Sequence, residues 1–82
     1  MKHDLKTWPA MFRAVALGYK THEIRTNDRG FAVGDVLHLR EWVPAVEGYT
    51  GNSYAVEVTY ITPGGEWGIS DSLCVMSIRR AS

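Results

Sequence analysis

Downstream of Gly18, turn-forming residues interrupt the chain so often that no long helix fits. Asn27-Asp28-Arg29-Gly30, Val33-Gly34-Asp35 and Pro63-Gly64-Gly65 each carry the residue types that start or end a turn. Between them the apolar residues recur every second position, the period of a strand with one buried face. Thr21 to Thr26 alternates in this way, with Glu23 and Arg25 on one face and Ile24 on the other. In Val36 to Trp42, Leu37 and Leu39 share one face while His38, Arg40 and Trp42 share the other. Tyr54 to Thr62 places Tyr54, Val56, Val58 and Tyr60 together, and Leu73 to Arg79 forms a last strand. Trp42 to Ser53 contains Pro44, Gly48 and Gly51 without clear periodicity, and is expected to be a loop of functional length.

Upstream of Gly18 the pattern differs. His3 to Thr7 is expected to be extended, anchored by Leu5. Thr7 can cap a helix whose first turn tolerates Pro9, because the missing amide hydrogen has no partner there. Phe12, Val15 and Ala16 recur at helical spacing, Met11 widens their stripe, and Gly18 supplies a left-handed stop. The sum is a mainly β (α+β) fold: a small, closed or nearly closed β-barrel of about five strands with one N-terminal α-helix.

The 82 residues allow one domain spanning 1–82, with no room for a second core. No apolar run approaches the roughly 20 residues that span a bilayer, and Met1-Lys2-His3-Asp4 does not open a signal peptide, so a cytoplasmic protein without a membrane partner is expected. The single cysteine, Cys74, lies in an apolar run and is expected to be a small buried hydrophobe. Nine basic residues balance nine acidic ones, but unevenly: Glu41 to Ile78 contains five acids and no Lys or Arg. Folding turns that asymmetry into opposed faces or interleaves it. His3, His22, His38 and Cys74 show no metal-ligand spacing, and no Gly-rich loop opens a helix, so neither a metal nor a cofactor is expected.

The chemistry concentrates in Gly18-Tyr19-Lys20-Thr21-His22-Glu23-Ile24-Arg25 and the following Asn27-Asp28-Arg29. An acid and a guanidinium share one strand face, with an ammonium near its start. Braced guanidinium forks recognise planar or anionic groups bidentately. A network of Glu23, Arg25, Asp28 and Arg29 serves that role or a purely structural one. Lys20, Thr21 and Glu23 are the residues from which a nucleophilic site could be built. Lys20, Arg25, Arg29 and Arg40 suit phosphate, while Trp42, Tyr49 and Trp67 offer faces for base stacking or, equally, fill the ends of the barrel.

Gly18-x-Lys20-Thr21-x-Glu23-x-Arg25 resembles the signature of ASCH domains, members of the PUA-like superfamily. Glu23-Ile24-Arg25-x-Asn27-Asp28-Arg29, Phe31-x-Val33-Gly34-Asp35, Gly48-Tyr49-Thr50-Gly51 and Val75-x-Ser77-Ile78-Arg79 resemble a small subgroup common in phages and prophages. The resemblance implies a cleft beside Lys20–Arg25 and binding of RNA or a modified nucleotide. Some ASCH proteins hydrolyse an acylated cytidine with a lysine, a threonine and a glutamate. Here Lys20 stands in the lysine position, Glu23 replaces the threonine, and Glu57 is the candidate for the later acid.

The leading expectation is therefore a binding module with a site drawn from Lys20, Thr21, Glu23, Arg25, Asn27, Asp28, Arg29, Arg40, Trp42 and Tyr49. In it Lys20 and Arg29 contact phosphate or an exocyclic oxygen, Glu23 accepts from a base amino group, Arg25 braces Glu23, and Tyr49 stacks. One alternative is a small amidohydrolase of an acylated nucleoside, with Lys20, Glu23 and Glu57 as catalytic candidates. The other is a phage-encoded adaptor that binds a host protein through the Trp42–Asn52 loop.

Overall fold

The computed structural model describes residues 1–81. Strand β1 (Lys2–Thr7) leads into helix α1 (Pro9–Ala16), followed by β2 (His22–Thr26), β3 (Val36–Val43), β4 (Gly48–Pro63) and β5 (Leu73–Arg80). The strands form one curled sheet in the order β1-β3-β4-β5-β2. β1 runs parallel to β3, and the other neighbours are antiparallel. The mainly β architecture with one helix is thus as expected, as a half-barrel rather than a closed one. β1 and β2 lie at the two ends of the strand order, and no backbone ladder joins them.

Alternation along each strand fills the inside of the curl. Leu5, Leu37, Leu39, Val56, Val58, Cys74, Met76 and Ile78 point inward, and α1 covers them with Phe12 and Val15. Full burial of each large aliphatic side chain is worth about 1.5–3 kcal/mol, which gives a chain this short its core. Cys74 is buried among them, and burial pushes its thiol pKa up.

Several local expectations change. Trp8, not Thr7, occupies the helix N-cap position, with an extended backbone and no side-chain cap. Pro9 at the first helical position pre-sets the helical φ, while Thr7 stays in β1 and donates its hydroxyl to the Leu5 carbonyl. Met11 and Ala16 lie on the exposed side of α1, so the buried stripe reduces to Phe12 and Val15. Gly18 ends the helix at φ +83°, its amide donating to the Val15 carbonyl.

The Trp42–Ser53 loop is absent, because those residues complete a hairpin. Trp42 pairs with Tyr49 and Val43 with Gly48, leaving only Pro44 to Glu47 as the turn. Cross-strand side chains supply what the glycines lack: Thr50 and Asn52 both donate to Glu41 Oε1, and the Arg40 guanidinium lies over the Tyr49 ring. A register shift between Val58 and Tyr60 turns Tyr60 outward and seats Ile61 against the core instead.

Candidate functional site

β2 turns its polar face inward. Glu23 is 3% exposed and Ile24 51% exposed, the reverse of what hydrophobicity alone would choose. The inversion is tolerated because both carboxylate oxygens of Glu23 have cationic partners. Lys20 Nζ donates to Oε1 at 2.9 Å, and Arg25 Nε donates to Oε2 at 2.7 Å. Lys20 also reaches the His22 carbonyl at 2.9 Å.

Arg25 then crosses the seam where the sheet fails to close. Its Nη2 donates to the Lys6 carbonyl at 2.8 Å and to the Thr7 hydroxyl at 3.3 Å. Arg29 makes a second rung, with Nη1 donating to the Asp4 carbonyl at 2.9 Å. Two guanidinium groups thus replace part of the missing ladder between β2 and β1, satisfying carbonyls on an edge strand. The expected four-residue network is therefore split. Glu23 bonds Arg25 directly and Lys20 on its other oxygen, whereas Arg29 reaches β1 rather than Asp28.

A cleft of about 460 Å³ opens along this seam, lined by Lys6, Thr7, Trp8, Ala10, Met11, Lys20, Glu23, Ile24 and Arg25. Its walls are mostly apolar, and its polar floor is the Lys20–Glu23–Arg25 cluster. Each Glu23 oxygen already accepts from one cation, so Glu23 braces Lys20 and Arg25. An ammonium carries three N–H bonds and a guanidinium five. Lys20 directs two of its three to the protein, and Arg25 Nη1 makes no hydrogen bond among the described residues. The floor of the cleft therefore offers cationic donors from Lys20 and Arg25. On the far side of Arg25, Asp28 and Arg29 border a smaller groove of about 200 Å³ with Leu5, Thr26 and Phe31.

The remaining sequence candidates lie elsewhere. Asn27 serves the turn, its amide donating to the Ser72 carbonyl. Thr21 borders a separate recess beside Gly18 and Ile78. Glu57 lines no part of the cleft; it accepts from Arg79 Nη2 at 2.9 Å, so Lys20, Glu23 and Glu57 do not meet as a catalytic group. Arg40 and Tyr49 stack on each other outside the cleft. Trp42 adjoins its rim, with its ring centroid 5.5 Å from that of Trp8 and Lys6 Nζ 4.4 Å above it. Lys6, Thr7, Trp8, Ala10 and Met11 form the wall that sequence reasoning missed. The one hint was Trp8 and Met11, two large apolar residues that the buried stripe of the helix does not need.

A second buried carboxylate, Asp35, immediately precedes β3. His3 Nε2 lies 2.8 Å from Oδ2, the Ala32 amide donates to Oδ2 at 3.0 Å, and the Met1 nitrogen donates to Oδ1 at 3.0 Å. The His3 hydrogen bond, followed by those from Ala32 and Met1, lowers the Asp35 pKa to about 2 against the cost of burial. The Phe31 ring packs edge-on against His3 at 4.7 Å. No metal-binding group of three or more ligands occurs among the described residues, and no described helix is long and apolar enough to cross a membrane.

Similarity to known proteins agrees with the phage-associated part of the sequence reading. An Escherichia phage P2 protein, "Uncharacterized 12.9 kDa protein in GpA 3'region", is 35% identical over 65 residues. The match covers 79% of this chain and 58% of that protein, so the chain spans little more than half the length of its relative. Residues 2–78 match a family model described as "Domain of unknown function (DUF3850)", and the chain belongs to that family.

Proposed function

We propose that this chain is a PUA-like binding module of the ASCH type, whose seam cleft holds a base of single-stranded RNA or a modified nucleoside. The observation that carries the reading is the pairing of an apolar slot with fixed cationic donors at its floor. Trp8, Met11 and Ile24 supply surfaces for a flat, weakly polar ring. Lys20 and Arg25, braced by Glu23, supply N–H groups to a carbonyl or anionic oxygen on that ring. Arg29, in the adjoining groove, is the phosphate contact. Each base stacked on an aromatic side chain contributes about 1–3 kcal/mol in single-strand binders.

An NMR titration with nucleosides and short RNAs tests this. Shifts should cluster on Thr7–Met11 and Lys20–Arg25, and affinity for RNA should fall with added salt. Lys20→Ala should weaken binding about tenfold, the cost of one charge-assisted hydrogen bond. Shifts confined to the outer face around Tyr49, or none with any nucleoside or RNA, would overturn the reading.

A further inference from the structure

The cleft is not the only unpaired feature on this edge of the sheet. The β4–β5 connection projects Trp67, which is 85% exposed and held at φ +58°, a left-handed backbone that bulky residues rarely adopt. The loop around it is firmly built. The Gly65 amide donates to the Ile69 carbonyl at 2.8 Å and the Ile69 amide to the Glu66 carbonyl at 2.9 Å. Gly64 is so enclosed that a Cβ there would collide with the Ser70 carbonyl oxygen. An ordered loop that holds an indole in solvent at the cost of backbone strain is shaped for contact, not for the chain's own core.

Charge selects the occupant. Glu66 and Asp71 flank Trp67, and no Lys or Arg occurs between Glu41 and Ile78. The loop itself therefore carries acids and no basic side chain. The seam cleft has the complementary character, with apolar walls and a basic lining of Lys6, Lys20 and Arg25 whose single acid is already shared. At about 460 Å³ it is within the range of small-molecule pockets and can admit a side chain of indole size. The two features also lie on the same edge. The loop rejoins the sheet at Leu73, paired with Thr26, one residue from Arg25 of the cleft. A two-fold axis between loop and cleft therefore gives a closed, reciprocal pair.

We infer that Trp67 of one copy inserts into the seam cleft of a second copy, with Glu66 and Asp71 facing the basic rim. The chain is then a reversible two-fold dimer whose ligand cleft is capped by its partner. The capping goes beyond the nucleobase reading and does not require it, since the contact stands whether or not a nucleoside binds the freed cleft.

Sedimentation velocity on the full chain, from micromolar to millimolar protein, tests the inference. The unsubstituted chain should associate to a dimer, and Trp67→Ala should weaken association about 100-fold, as removal of a central aromatic anchor does. Ala10→Trp, at an exposed position on the first turn of α1, should fill the cleft from within and also give a monomer. Mixing the two variants should restore association, because one retains the cleft and the other the tryptophan. A chain that stays monomeric at millimolar concentration, or a Trp67→Ala dimer as tight as the original, would overturn it. Nucleoside titration of monomeric Trp67→Ala separately tests the ligand reading, so the two ideas fail independently.

Discussion

Glu23 and Asp35 are both buried carboxylates with both oxygens hydrogen-bonded, yet one borders a cleft and the other is sealed. Asp35 sits where β1 and β3 already pair, and its partner His3 is itself buried against Phe31. Among the described residues it faces no cleft lined by its partners' side chains. Glu23 sits where the sheet fails to close, and the side chains of its partners Lys20 and Arg25 keep 17% and 24% exposure. The contrast teaches that a buried acid marks a binding site only when its partners retain donors that face open space. By that measure the Asp35 cluster is a structural pin and the Glu23 cluster is a braced pair of cations.

Removing the brace should have the largest effect. Glu23→Ala leaves two cations crowded at the seam with no acid between them, and breaking a buried ion pair costs about 3–5 kcal/mol. Urea denaturation measures that loss, and a nucleoside titration of the variant under native conditions should show binding lost as well. Asp35→Asn should cost less, about 1–3 kcal/mol, because the amide keeps the shape and one acceptor oxygen. It should leave nucleoside affinity unchanged. Equal damage to affinity from both variants would erase the distinction between pin and brace.

The acid limb of the stability curve sharpens the same contrast. The Asp35 pKa is lowered from 3.8 to about 2, so between those values the unfolded chain binds more protons than the folded one. Stability therefore rises with pH through that window, is fully present above about pH 4, and is lost as pH falls toward 2. Asp4, held below its ordinary range by the His38 hydrogen bond, acts in the same direction. In urea melts from pH 5 to pH 2, the gap between the native chain and Asp35→Asn should narrow as the acid protonates. A constant gap would mean that the Asp35 charge contributes nothing beyond its shape.

The uneven legibility of the sequence has a physical basis. Leu37 and Leu39 announce β3 because period two is a local property, and Gly18 announces the helix end because a left-handed residue is needed there. Alternation also puts Glu23 and Arg25 on one face, but it cannot say which face is inside. That choice is made by Lys20 and by β1 carbonyls far away in sequence. The missing wall of the cleft, Thr7 to Met11, has the same origin, since it meets β2 only across the unpaired seam. Gly48 and Gly51 read as loop residues because the strand around them is held by contacts of Tyr49 and Thr50 with Arg40 and Glu41 on the opposite strand.

The smallest predicted effect serves as the control for all the others. Glu57 and Arg79 make an acid–guanidinium contact much like that of Glu23 and Arg25, with Oε1 2.9 Å from Nη2. The difference is exposure, with the two side chains 34% and 68% open to solvent. Water screens the attraction and ordering two long side chains opposes it, so such pairs are worth about 0–1 kcal/mol. Glu57→Gln should therefore shift the urea midpoint slightly, and the shift should vanish at high salt while that of Glu23→Ala persists. A loss at Glu57 as large as that at Glu23 would make the ion pair itself, not its burial at the open seam, the source of stability, and the contrast between exposed, sealed and cleft-facing acids would fail.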